Sequence, residues 1–249
     1  MLFPAHRARS RRASPASIVL EDELGSGLTA AWDHQADWTL VGGSEWTFTD
    51  RINGYTLFDQ GNAFTTPDTD TVDGNRVLVF DGIGHYIQSN GHNLTALHGT
   101  TGPFATVLIG RALTIVDGSG GAGHNEPNVW CDGNGYYGHS LTSHPKFWDW
   151  NTGSYAAPAN AISSSDAFIL ASSFDGVNVW ETWLNDSYGW NTINPPGSRS
   201  GPLRIGRSWS GTTYFHFQLF GAYTLDRALT AGDRTFFNTW ATQEWPSLF

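Results

Sequence analysis

Glu181 stands between Trp180 and Trp183 in a stretch, residues 177–184, that reads as a strand. Flat indole faces make stacking platforms, with an apolar body and a polar tip. Trp148, Trp150, Trp180, Trp183, Trp190 and Trp209 spread such platforms over the second half of the chain and are the candidate glycan contacts. Strand alternation puts Trp183 on the side of Val177, Val179 and Glu181, and Trp180 on the side of Leu184. The two rings therefore cannot share one core, and one of them should reach an outer layer or a groove. Hydrolysis of a glycosidic bond needs two carboxylates, about 5–5.5 Å apart for retention. Position 183, where a second acid would be needed, is tryptophan.

Other candidates are weaker. Asp68, Asp70 and Asp73, followed by Gly74, supply the hard oxygens that calcium prefers. Their spacing is one residue off the EF-hand pattern, and no glutamate stands at its twelfth position, so a solvated turn competes with a metal loop. His85, His92, His98, His124, His139 and His144 fall in no recognised zinc spacing. The glycine-rich residues 117–123 lack the following lysine of a phosphate loop. Cys131 is the only cysteine, so no intrachain disulfide can form, and a buried thiol is expected.

The elements that must position these residues are mostly short strands between glycine turns. Residues 203–205 alternate and stop at Gly206; residues 214–225 are aromatic and β-branched. Thr230 precedes Asp233 by three, the spacing of a helix N-cap, and Phe236, Phe237 and Trp240 follow on one helical face. Further strands are expected at 18–22, 28–33, 38–41, 46–48, 54–58, 76–80, 85–88 and 168–174, with 105–109 and 112–116 forming another strand or a pair. Residues 65–75 and 154–165 read as loops. Asp175–Gly176 should close a tight hairpin.

Residues 203–207 (LRIGR) and 221–233 (GAYTLDRALTAGD) resemble the closing segment of laminin-G-like, concanavalin-A-like lectin jelly-roll domains, of the kind found in phage structural proteins. Residues 27–33 (GLTAAWD), 77–89 (VLVFDGIGHYIQS) and 168–186 (FILASSFDGVNVWETWLND) match the family's earlier strands in order. The resemblance spans residues 25–242 and implies an all-β, two-sheet antiparallel jelly-roll sandwich with a short C-terminal helix. The fold hosts lectins, adhesion modules, glycanases and virion proteins, so it does not fix function. The Glu-x-Asp-x-x-Glu strand of its β-glucanases is absent here, and the expectation is no enzyme. Calcium, which laminin-G-like and pentraxin-like relatives often bind, is the one cofactor to consider.

The 249 residues carry a net charge of −10, with 13 basic and 23 acidic residues, 12 tryptophans and 29 glycines. Arg7, Arg9, Arg11 and Arg12 lie in an arm, residues 1–17, that holds no acid; the rest balances at −14. That remainder, one domain over 18–249, should repel nucleic acid and anionic membrane. No apolar run approaches the roughly 18–20 residues of a membrane span. No secretory signal pattern opens the chain, so it is not expected to be an export substrate. The chain is thus expected to be a structural or adhesion component of a large assembly, a bacteriophage virion protein in capsid decoration, head-fibre or tail. The arm would dock on capsid proteins, the sandwich would meet host-surface glycan, and the protein would be homo-oligomeric or multi-copy. The alternative is a free-standing, extracellular carbohydrate-binding lectin, with or without calcium.

Overall fold

A computed structural model describes residues 20–41, 45–61, 69–115, 128–132, 137–140, 146–149, 154–158, 161–192, 199–207 and 214–249. Helix α1 (Leu20–Leu24) passes through a 3-10 turn (Gly25–Gly27) into β1 (Leu28–Asp33), β2 (Asp37–Val41), β3 (Glu45–Thr49) and β4 (Thr56–Gly61). Then come β5 (Thr69–Val72), β6 (Asn75–Asp81), β7 (His85–Asn93), α2 (Leu94–His98), β8 (Phe104–Ala112), β9 (Asn128–Asp132), β10 (Tyr137–Ser140) and β11 (Lys146–Asp149). The chain closes with β12 (Ser154–Ala156), β13 (Ala167–Phe174), β14 (Val179–Leu184), β15 (Ser187–Thr192), β16 (Pro202–Ile205), β17 (His216–Leu225) and α3 (Ala231–Glu244).

Two antiparallel sheets face each other in the expected jelly-roll sandwich. One runs β15-β14-β13-β8-β17-β6-β5, with β1 also on β17; the other runs β12-β11-β10-β9-β16-β7-β4-β3-β2. Side-chain alternation gives the first sheet two buried faces. Its inner face meets the second sheet through Leu78, Phe80, Phe104, Leu108, Phe168, Trp180 and Phe217, opposite Phe48, Ile87, Trp130, Phe147 and Ile205. Its outer face carries Val77, Val107, Ile109, Trp183, Tyr223 and Leu225, covered by Phe237, Trp240 and Ala241 of α3 and by Trp245. Along β6, Val77 faces this outer layer while Leu78 and Phe80 face the second sheet.

The helix forms where the N-cap pattern places it. Thr230 Oγ1 accepts the Asp233 N–H at 3.2 Å, and Asp233 Oδ2 accepts the Thr230 N–H at 2.6 Å. The Arg227 guanidinium grips both Asp233 oxygens, at 2.7 and 2.8 Å, and with the Thr230 donors holds that carboxyl below its usual range despite the opposing effect of burial. A buried polar cluster ties this layer together. Arg51 reaches Glu21 and Asp33, Tyr223 Oη lies 3.5 Å from Asp33 Oδ2, and Trp240 Nε1 donates to Tyr223 Oη at 3.1 Å.

Several local expectations need correction. The strand expected at 18–22 is instead α1, because Leu20 and Leu24, one turn apart, both bury in the outer layer; residue 18 lies outside the described residues. The loop expected at 65–75 contains β5, whose weakly apolar sequence is ordered by pairing with β6 around Asp73–Gly74, both at positive φ (51° and 87°). The loop at 154–165 contains β12, an edge strand paired with β11. Of the strand or pair expected over 105–109 and 112–116, the structure has one strand, β8, which ends at Ala112; residue 116 lies outside the described residues. The Asp175–Gly176 hairpin is wider than a two-residue turn; Phe174 pairs with Trp180, and Asp175 Oδ1 accepts the N–H groups of Val177, Asn178 and Val179. Among the described residues no helix is long and apolar enough to cross a membrane.

Candidate functional site

Strand β14 separates its two tryptophans as alternation requires. Trp180 points between the sheets and is fully buried, 4.4 Å from the Phe147 ring and 5.8 Å from Phe174. It therefore cannot serve as a glycan contact: it is a core residue. Trp183 points to the outer layer, where Tyr188 stands opposite it on β15, with ring centroids 6.2 Å apart. Trp190 stands opposite Glu181 and is 59% exposed. The two-residue turn Asn185–Asp186, with Asn185 at φ 52°, sets this register. A one-residue slip would turn both β15 aromatics to the other face.

The first turn of α3 closes the other side. Glu181, Trp183, Tyr188, Leu229, Ala231 and Arg234 line an open cleft of about 250 Å³. The Arg234 guanidinium lies 5.0 Å above the Trp183 ring and has no carboxylate partner among the described residues. Tyr188 Oη donates to Glu181 Oε1 at 2.8 Å. Burial and that bond push the Tyr188 hydroxyl up to about 12, so it remains a donor at physiological pH. The cleft thus joins a phenol tied to a carboxylate and a guanidinium braced on an indole, with the exposed Trp190 on the next strand as the partner of Glu181. Such groups hold a polyol ring by stacking and hydrogen bonds. Glu181 is the single carboxylate of the lining. The opposed pair of acids that glycoside hydrolysis needs is not present in this cleft.

Of the sequence candidates, Trp183 lines the cleft with Glu181, and Trp190 stands opposite Glu181 on β15, outside that lining. Trp148 lies in β11 opposite Tyr155, with its side chain outside the described residues. Trp150 and Trp209 lie outside the described residues, as do Arg7, Arg9, Arg11, Arg12 and Asp68. Two carboxylates of the acidic turn, Asp70 and Asp73, lie among the described residues. Asp70 Oδ2 accepts from Gln218 at 2.8 Å, and Asp73 Oδ2 accepts the Ser247 N–H and Oγ–H at 2.9 and 2.8 Å. Among the described residues no group of three or more His, Cys, Asp or Glu is placed to hold a metal ion. His98 and His139 are buried between the sheets, on Thr106 at 2.9 Å and Thr182 at 2.6 Å. Tyr188 and Arg234 were not legible as site residues. Tyr188 follows a recognisable turn, but nothing in the chain order links residue 234 to residue 183.

No family model matches the chain, and no curated protein matches it by sequence. Solved structures match by shape. Domain 4 of AbnA, an extracellular arabinanase from Geobacillus stearothermophilus solved with arabinotriose, is 14% identical; the match covers 84% of this chain and 97% of that one, at a TM-score of 0.57. A botulinum neurotoxin type C chain, whose cell entry depends on two ganglioside molecules, is 10% identical over 86% of this chain and 51% of its own, at 0.60. The Trypanosoma rangeli sialidase solved with sialic acid is 12% identical over 88% of this chain and 33% of its own, at 0.58. The chain spans about half the length of that toxin chain and a third of the sialidase. At such identities the likeness establishes the fold alone, an antiparallel β-sandwich jelly roll.

Proposed function

We propose that this chain is a non-enzymatic carbohydrate-binding sandwich that takes a sugar ring into the cleft between β14, β15 and the start of α3. The observation that carries this reading is Trp190, 59% exposed on an edge strand opposite Glu181, which lines the cleft with Tyr188 and Arg234. A large indole left in water on a ladder-held strand is an unmet stacking surface. The matched arabinanase domain, solved with arabinotriose, and the sialidase, solved with sialic acid, lend support by shape.

The test is binding of the full chain to insoluble arabinan, xylan, cellulose and chitin and to an array of neutral and sialylated glycans. Wild type is expected to bind at least one, and Trp190→Ala to weaken that binding at least about tenfold, roughly 1.4 kcal/mol. Its melting temperature should stay unchanged, since the ring is exposed. Binding to no glycan, or equal binding by Trp190→Ala, sinks the proposal.

The setting we favour is a virion surface, with the arm carrying Arg7, Arg9, Arg11 and Arg12 docked on acidic capsid protein and the cleft facing host glycan. Its support is the charge contrast between the arm and the remaining chain. Co-sedimentation of full-length and Δ1–17 protein with particles lacking the protein separates this from a free extracellular lectin. Salt-sensitive binding by the full chain alone supports the virion setting. Glycan binding without particle binding supports the free lectin.

A further inference from the structure

We propose a second ligand site at the other end of the first sheet, where Arg76 holds the carboxylate of a small hydroxylated acid, a sugar acid by class. The site does not depend on the cleft above. That cleft lies at the β15 end of the first sheet; β6 and β5 form its opposite end, and β3 and β2 end the second sheet.

The pleat of each sheet turns the side chains of this edge toward one another. Arg76 alternates with Leu78 and Phe80, which face the second sheet, and its cross-strand partner Thr71 shares that face. On the second sheet Trp38 pairs with Phe48, and Trp46 stands two residues before Phe48. Phe48 belongs to the core between the sheets, and both indoles pack against that core. An arginine therefore takes the place of an apolar side chain where the core meets this edge. Its guanidinium carbon lies 5.5 Å from the Trp38 ring centroid and 6.0 Å from that of Trp46. The indoles rest in turn on Phe48, at 5.1 and 6.4 Å, and Trp38 Nε1 donates to the Asp33 carbonyl oxygen at 3.0 Å. The cation thus sits on a fixed aromatic platform.

Beside it opens a cavity of about 540 Å³, whose lining includes His34, Ala36, Trp38, Thr71, Asn75 and Arg76. That volume falls within the roughly 300–1,000 Å³ of ligand pockets. The described lining residues include no carboxylate, and Arg76 has no acidic partner among the described residues of a chain with 23 acids. The Glu244 carboxylate lies on His34 Nε2, at 3.2 Å. Burial holds the His34 imidazole below its ordinary pKa, so Arg76 is the one cation of the described lining. Its planar fork fits a carboxylate with two parallel hydrogen bonds. One cation matches the single charge of a carboxylate, whereas a phosphate brings about 1.5–2 charges. The rest of the lining asks for hydroxyls. Asn75 Nδ2 donates to the Glu244 carbonyl oxygen at 2.8 Å, which leaves Oδ1 to accept, and Thr71 Oγ1 has no partner among the described residues. An alkyl chain would desolvate both without return.

The experiment is calorimetric titration of the full chain with glucuronate, galacturonate and gluconate. Glucose and galactose serve as uncharged counterparts, and glucose 6-phosphate as the other anion. Wild type is expected to bind at least one acid at least about tenfold more tightly than the neutral sugars. Arg76→Gln should lose at least about tenfold of that affinity at an unchanged melting temperature, since the side chain is exposed. Arg76→Lys, which keeps the charge without the fork, should fall between the two. Both variants should bind array glycans as wild type does. No saturation by any acid at about 10 mM, equal affinity for acids and neutral sugars, or an Arg76→Gln protein that behaves as wild type overturns the site. Tighter binding of glucose 6-phosphate than of every acid overturns the carboxylate assignment. Loss of array glycans together with the acids in Arg76→Gln, at an unchanged melting temperature, overturns the second site, since one site would then serve both. Should Arg76→Gln melt lower than wild type, Arg76→Lys decides, and wild-type affinity in it overturns the paired hydrogen bonds.

Discussion

Asp33 shows how burial, more than charge count, sets the behaviour of single residues in this acidic chain. Its side chain is fully enclosed beside Arg51 and Tyr223. Burial raises its pKa from 3.8 to about 6, with the Gln35 N–H and the Tyr223 hydroxyl offsetting only part of that. A carboxyl whose folded pKa lies above its unfolded value favours folding while protonated. Its contribution is full below about 3.8 and is lost as pH rises through about 6. At about 1.36 kcal/mol per unit, the loss approaches 3 kcal/mol, less whatever the Arg51 ion pair returns. Denaturant midpoints measured from pH 4 to 7 should fall for wild type relative to Asp33→Asn. Parallel curves would mean that Asp33 titrates as an ordinary surface carboxyl.

At the scale of elements, two devices hold the cleft in shape. The capping box of α3 keeps Leu229, Ala231 and Arg234 against β14; Thr230→Ala should cost about 1 kcal/mol of stability, within the range for lost N-caps. Because the cap precedes Arg234 by one turn, the same variant should weaken glycan binding more than its stability loss explains. The second device is Gly189. Gly189→Ala must push β15 off the Ala157 backbone, since neither main chain can yield as a flexible side chain would. Overpacking of this kind costs about 1–3 kcal/mol, visible as a lowered melting temperature. An unaltered melting temperature in Gly189→Ala would contradict the close approach.

The whole molecule shares one sheet between two hydrophobic layers, so neither layer can melt alone. Phe80, Phe104 and Trp180 pack on one side of that sheet, Val107, Trp183 and Tyr223 on the other. Unfolding followed by tryptophan fluorescence and by far-ultraviolet dichroism should coincide in one transition. Refolding should be slow. Strand β1 pairs with β17, joining Leu28 to Leu225, and loop closure must precede that reward. Sandwiches dominated by such pairings fold in about milliseconds to seconds, and this one belongs at or beyond the slow end. Distinct transitions for the two signals would show that α3 and its layer form a separate unit.

Local chemistry in the sequence determined the strands with strong alternation, the Thr230–Asp233 cap, the opposite faces of Trp180 and Trp183, and the antiparallel sandwich implied by the ordered motifs. Those features depend on residues within a few positions of one another, or on a resemblance that keeps their order. The weak edge strands β5 and β12 were missed because pairing with neighbours, and not their own composition, orders them. Which tryptophan is wrapped by the second sheet and which by α3 could not be read from chain order. Nor could the meeting of Arg234 with Trp183, or of Asn191 with the Tyr155 carbonyl. Those contacts join residues from separate elements, and only the packing of two sheets and a helix brings their surfaces within reach.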